Sequence, residues 1–245
     1  MTHGALFAGL NVLGLAFKQL GVETLWCSET DSFCRELLNK NFPKTRQYGD
    51  IRAIENLPYV DIISGGFPCQ DISGAGPGHG IRGARSSLWF AMSNVVSKAR
   101  PKYIIIENSP MLVKRGLEHV LFDLAEIGYD AEWRCLRASD FGYPHKRERL
   151  FLVAYPDSFR CLAQAHKARV FSQEIPETSK RELVRAVSGE IRNKANSEIL
   201  RDDDGTPFVL DRIKALGNAI VYDVALYVAR SVLSFHSVLH SNLPQ

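Results

Sequence analysis

Residues 5–29 read ALFAGLNVLGLAFKQLGVETLWCSE, and the order of patterns inside them decides the fold class. Ala5–Ala8 is an apolar run of strand length, Leu13–Leu20 carries helical spacing, and Val22–Cys27 is strand-like again. Gly9 separates the first strand from the helix, and Glu29 follows the second strand. Strand, glycine turn, helix and strand form a crossover unit, which pairs its two strands parallel.

The same rhythm runs outward from this unit. Asp31–Asn41 reads as a helix with Asp31 as its N-cap, because a short acceptor side chain precedes the periodic run. Val60–Ile63, Tyr103–Ile106 and Arg149–Ala154 are rich in β-branched or aromatic residues and are predicted strands. Ser86–Lys98 and Lys114–Ile127 are the predicted helices between them, and Ile213–Leu216 and Val221–Leu233 return to helical spacing near the end. The predicted class is therefore α/β, a doubly wound and mostly parallel sheet with helices on both faces. Gly74–Gly83 holds five glycines and Pro77, which predicts a loop. Residues 157–205 are polar, with a charged helical patch at Ser179–Ala195 and the acidic turn Asp202–Gly205, and read as a small insertion.

Length and composition set the bounds. A chain of 245 residues suffices for one α/β domain with a small appendage, and 45% hydrophobic with 23% charged residues is ordinary for a globular protein. The net charge of +3 permits nucleic-acid binding without arguing for it. Cys27, Cys34, Cys69, Cys135 and Cys161 make an odd number with no C-x-x-C pair, which speaks against a disulfide framework or a zinc site and predicts a reducing, cytoplasmic setting. No secretory leader or membrane-length apolar run is read.

In an open parallel sheet, ligands bind beyond the carboxyl ends of the strands. Phe7-Ala8-Gly9 can bring backbone close to a ligand, and Glu29 stands 29 − 9 = 20 residues after Gly9, the place where nucleotide folds hold ribose hydroxyls. Asp50, in Gly49-Asp50-Ile51, is placed to meet an adenine amino group. As a set these carboxylates predict an adenosine-containing cofactor. Cys69 follows Pro68 after a strand and precedes the glycine loop, a location suited to a nucleophilic thiol, although a buried structural thiol is the commoner fate of a lone cysteine. Glu107 ends an apolar strand, where a carboxylate is costly unless paired or functional. Arg147 and Arg149, two apart in an extended segment, point the same way; both face one ligand or bridge to Glu107.

The segments Leu6–Gly9, Glu29, Gly49–Ile51, Gly66–Gln70, Glu107-Asn108, His145–Arg149 and Leu216–Ala219 resemble, in order, those of the C5-cytosine DNA methyltransferases, in particular their compact bacterial and phage-type members. The resemblance implies the S-adenosylmethionine-dependent, Rossmann-like fold, with residues 1–156 and 207–236 as the catalytic domain and 157–206 as target-recognition insertion. It implies double-stranded DNA as partner, S-adenosyl-L-methionine as cofactor, no metal, and a monomer as the favoured state. Among the residues, it implies Cys69 as nucleophile, Glu107, Arg147 and Arg149 as base-handling groups, and Phe7, Gly9, Leu10, Glu29, Asp50, Ile51, Pro68, Asn218 and Ala219 as the cofactor site. Gln70, Ser73, Arg85 and Ser87 would contact DNA.

Five positions depart from the family pattern. Asn11 and Val12 stand for two glycines, and since valine takes positive φ only at cost, a distorted cofactor turn is expected. Thr30 replaces a bulky residue, Ser109 a valine, and Tyr222 a proline. Two other readings stay open: a catalytically silent relative that binds DNA, and the same chemistry on RNA. A nicotinamide-dependent oxidoreductase is set aside, because no intact G-x-G-x-x-G follows the first strand.

Overall fold

The computed structural model describes residues 1–68, 87–175 and 220–241. Seven strands form one sheet: β1 Thr2–Leu6, β2 Glu23–Ser28, β3 Arg46–Tyr48, β4 Ile62–Gly65, β5 Tyr103–Asn108, β6 Tyr129–Arg137 and β7 Glu148–Pro156. Their spatial order is β3-β2-β1-β4-β5-β7-β6. All pairs from β3 to β5 are parallel, whereas β7 runs antiparallel to both β5 and β6. The doubly wound, mostly parallel sheet expected from the sequence is present.

Parallel strands with helices on both sides must be apolar on both faces. Along β5, Ile104 and Ile106 join the core under α3 (Ser87–Ala99) and α5 (Leu117–Glu126), while Tyr103 and Ile105 join the opposite core. That second core lies under α1 (Val12–Gln19) and the C-terminal helix Tyr222–His240. α2 (Ser32–Asn41) seals a smaller cluster of Ala5, Cys27, Leu38 and Phe42, and Asp31 accepts from Cys34 N at 3.1 Å as its N-cap. Fully buried Trp26 lies flat on Gly4, where a Cβ would come within 2.3 Å of the indole.

Several boundaries differ from expectation. The first strand ends at Leu6 rather than Ala8, because Phe7 and Gly9 both take φ 51° and turn the chain off the sheet. The helix expected over 114–127 is broken at Gly116 (φ 156°) into α4 (Leu112–Arg115) and α5. Strand β6 was not anticipated, although Tyr129, Ala131, Trp133 and Cys135 alternate with polar residues in the half-exposed pattern of an edge strand. The described start of the polar stretch is attached to the core: α6 (Ser158–Ala165) and the following turn bury Ala163 and Val170 in the second core. The expected features at Gly74–Gly83, Ser179–Ala195, Asp202–Gly205 and Ile213–Leu216 lie outside the described residues.

Register aligns the carboxyl ends. Tyr48 sits opposite Ser28, Ser28 opposite Leu6, Leu6 opposite Gly65, and Gly65 opposite Ile106. Whatever follows these residues emerges on a single rim, across the β1/β4 position where the strand order reverses.

Candidate active site

A cavity of about 630 Å³ opens on that rim. Phe7, Gly9 and Leu10 line it from the turn after β1, Glu29 from the end of β2, and Asp50 and Ile51 from the turn after β3. Pro68, Glu107 and Arg149 line it from the β4, β5 and β7 side. Nine residues singled out in the sequence thus share one cavity. Arg147 is close enough to Glu107 to act on its charge but does not line the cavity. Ser87 is the first residue of α3. Cys69, Gln70, Ser73, Arg85, Asn218 and Ala219 lie outside the described residues.

The turn after β1 holds three left-handed residues at alternate positions: Phe7 (φ 51°), Gly9 (φ 51°) and Asn11 (φ 49°). A bulky residue in this region is strained by about 1–2 kcal/mol, and such strain concentrates at ligand sites. Glu29 helps to hold the turn. Its Oε2 accepts from Gly9 N at 2.7 Å, and its Oε1 accepts from Thr30 N at 2.7 Å and Asp31 N at 2.8 Å. The carboxylate read as a ribose ligand is therefore also the brace of the glycine turn, which spacing alone could not reveal.

Val12 does not take the positive φ that would strain it. Asn11 takes the left-handed conformation, which asparagine tolerates better than most residues, and Val12 simply starts α1. Asn11 Oδ1 accepts from Gly14 N at 3.1 Å and caps the helix, while its buried Nδ2 has no partner among the described residues. Gly14 makes the arrangement possible: a Cβ there would lie 2.3 Å from that amide.

On the opposite wall, Glu107 and Arg149 form an ion pair with Nε to Oε1 at 2.9 Å. Arg149 Nη1 also donates to Glu148 O at 2.9 Å. Gly66 leaves room for the carboxylate, since a Cβ there would sit 2.8 Å from Glu107 Oε2. Burial pushes the Glu107 carboxyl above its ordinary range, against the opposing pull of Arg149 and Arg147. Desolvation and the like charge of Arg149 lower Arg147 in turn. Asn108 Nδ2 donates to Phe67 O at 3.1 Å and so ties the end of β5 to the segment entering Pro68.

The residues present suit an adenosine-type ligand. The volume falls in the range of small-molecule sites, roughly 300–1,000 Å³. Cβ atoms built at Gly9 and Gly49 would meet nothing within 4 Å, so the backbone can be approached closely. Apolar Phe7, Ile51 and Phe67 alternate with carboxylates that can accept from hydroxyl and amino groups. Among the described residues no group of His, Cys, Asp or Glu is placed to hold a metal ion, and no helix is long and apolar enough to cross a membrane.

Comparison with known proteins agrees with this arrangement. Residues 1–205 match the family described as C-5 cytosine-specific DNA methylase. The type II methyltransferase M.HaeII of Haemophilus aegyptius is 30% identical over 238 residues, covering 92% of this chain and 73% of that protein. M.NgoFVII of Neisseria gonorrhoeae is 30% identical over 257 residues, covering 98% and 67%. M.DsaV of Dactylococcopsis salina is 34% identical over 158 residues, covering 62% and 45%, so this chain spans about half the length of some of its curated relatives. Among solved structures, a DNA modification methyltransferase encoded within an E. coli prophage superposes with a TM-score of 0.55 at 24% identity, over 65% of this chain and 48% of the other. A mutant of Spodoptera frugiperda DNMT2 gives a TM-score of 0.51 at 20% identity, over 64% and 50%. Sheet order, cavity and sequence agree, and the chain belongs to the C5-cytosine-specific DNA methylase family.

Proposed function

We propose that this chain transfers a methyl group to C5 of a cytosine in double-stranded DNA, with Cys69 as a transient covalent nucleophile. The observation that carries the reading is the half-buried Glu107–Arg149 ion pair on the same cavity wall as the segment leading into Cys69. S-adenosyl-L-methionine would supply the methyl group, held by Phe7, Gly9, Leu10, Glu29, Asp50, Ile51 and Pro68, with Asn218 and Ala219 completing its site.

Cytosine C5 is a poor nucleophile because the ring is aromatic. The Cys69 thiolate adds to C6, which places electron density on C5. C5 then takes the methyl group as the sulfur–methyl bond breaks. A base removes the C5 proton, the Cys69–C6 bond breaks, and the thiolate and the aromatic ring are restored. Covalent catalysis of this kind divides one hard step into easier ones. Glu107, with its carboxyl raised by burial, holds the exocyclic amine and shares a proton with N3 as charge develops. Arg149 offsets charge at O2, and Arg147 supports it.

C5 lies inside a duplex, so the base must leave the stack, at a cost of a few kcal/mol. Gln70, Ser73, Arg85 and Ser87 would contact the DNA, and residues 157–206 would carry target recognition, their first turn anchored in the core by Ala163 and Val170. A monomer in the cytoplasm fits this role.

The test is trapping. Wild type should form a stable adduct with duplex DNA containing 5-fluorocytosine, where the C5 fluorine blocks release, and Cys69→Ser should form none. Equal trapping by both proteins removes Cys69 from the mechanism. Adducts on fluorocytosine RNA but not on DNA would transfer the chemistry to the other nucleic acid.

A further inference from the structure

The sequence marked Asp50 as the group that meets the cofactor's adenine, and the structure shows that Asp50 does not stand alone. Oδ1 accepts from the backbone N of Arg52 at 2.9 Å, and the guanidinium of Arg52 covers both oxygens, with Nε at 3.0 and 3.1 Å and Nη2 at 2.5 Å. Arg52 Nη1 has no hydrogen-bond partner among the described residues. Both side chains line the main cavity, and Arg52 with Ile51 also forms the wall between it and a neighbouring cavity of about 300 Å³.

An exposed ion pair between residues two apart adds little to stability. Its value here is geometric. A carboxylate and a guanidinium joined side by side present, along their outer edge, an acceptor next to a donor: the remaining lone pairs of Asp50 and the N–H groups of Arg52 that Asp50 does not use. A 6-aminopurine presents the complement, an amine next to a ring nitrogen that accepts. A 6-oxopurine presents an oxygen where the amine stood and fails against the carboxylate.

We propose that Arg52 is a second specificity-determining residue for the purine, acting with Asp50 as one acceptor–donor edge and holding that carboxylate in the orientation the amine requires. This rests on the reading of the main cavity as the site of the adenosyl cofactor. The guanidinium hydrogen bond lowers the Asp50 carboxyl to about 2, and like any ionised carboxylate its oxygens only accept. The planar fork matters as well as the charge, because lysine offers a point charge with no fixed second donor.

Binding of S-adenosylhomocysteine and its 6-oxo counterpart, S-inosylhomocysteine, by calorimetry tests the assignment without turnover. Wild type should prefer the adenosyl compound by on the order of a hundredfold, as for a bidentate edge. Arg52→Ala should weaken S-adenosylhomocysteine on the order of tenfold and narrow the amino-over-oxo preference to about tenfold, for loss of one charge-assisted contact. Arg52→Lys should recover less than half of either effect. In turnover, KM for S-adenosylmethionine should rise while kcat at saturation moves less than twofold. Arg52 is 63% exposed, so its replacement spares the fold. If Arg52→Ala binds both compounds like wild type, the assignment of Arg52 fails while the cavity reading stands. If wild type binds neither compound, the cavity reading fails and the assignment of Arg52 with it.

Discussion

Replacing Gly14 by alanine sets two helix effects against each other, and the structure decides the sign. Alanine in the body of a helix is favoured over glycine by about 1 kcal/mol. At this position, however, the new Cβ would fall 2.3 Å from the Asn11 amide, which must move. Moving it breaks the cap from Asn11 Oδ1 to Gly14 N, worth about 1 kcal/mol. It also strands a buried amide whose Nδ2 already lacks a partner among the described residues, at a further cost of about 1–3 kcal/mol. The net expectation is destabilisation by about 1–3 kcal/mol, although propensity alone predicts a gain. Asn11→Gly should be nearly neutral, since glycine accepts φ 49° and is only slightly poorer as a cap. The double variant should then be more stable than Gly14→Ala alone by about 2–3 kcal/mol, a strongly non-additive cycle. Urea unfolding of the four proteins, at constant slope, measures this. A stabilising Gly14→Ala, or additive effects, would refute the argument that Asn11 occupies the space Gly14 leaves.

Two further outcomes are expected. His3 is fully buried between Thr24 Oγ1 (2.9 Å) and Ser64 Oγ (2.8 Å), and burial lowers its pKa to about 3. The unfolded chain takes up the proton near pH 6.5 and the native protein does not, so stability is complete above that pH and declines as pH falls toward 3. The slope is about 1.4 kcal/mol per pH unit, giving about 2 kcal/mol at pH 5. Wild type should lose that much more than His3→Gln between pH 7 and pH 5 in denaturant titrations; equal losses would exclude His3 as the cause. Glu107→Gln keeps the shape but cannot share a proton, so the single-turnover rate should fall by about 10²–10⁴-fold. S-adenosylhomocysteine binding should change little, and lost binding with an intact rate would reverse the assignment of that wall.

The order of strands and helices was readable because period-2 and period-3.6 patterns record which faces are buried, and in the central strands both faces are. Glu29 and Asp50 stood out only as a set with the glycine turn, since a carboxylate after a strand is common by itself, whereas Glu107 stood out because a carboxylate ending an apolar strand is costly unless paired or functional. The missed features depend on torsion angles and neighbours in space. Nothing in the letters of Asn11-Val12 says that the asparagine alone carries the positive φ, or that Gly14 three residues on accommodates its side chain. Strand β6 was hidden by its own edge position: Asp130, Glu132 and Arg134 interrupt the apolar residues, and apolar Trp133 is the exposed one while Glu132 and Arg134 bond Tyr155 and Tyr227. Arg52 gave no signal, because a charged residue after a turn is ordinary until its guanidinium is seen across Asp50.

The antiparallel direction of β7 has the largest consequence for the site. Strand β5 runs toward the rim and ends with Glu107 and Asn108, opposite Phe151 and Leu150. Because β7 runs away from the rim, it begins there, and Arg149 arrives beside Glu107 at 2.9 Å. Were β7 parallel like β1 to β5, its first residues would lie at the other edge of the sheet, about 20 Å away along six-residue β5. No side chain spans that distance. The hairpin of β6 and β7 thus brings Arg149 to the carboxyl rim, where the parallel strands already place Glu29 and Asp50 around the same cavity. A single reversed strand joins the two halves of the site, one contributed by the crossover unit and the other by the hairpin.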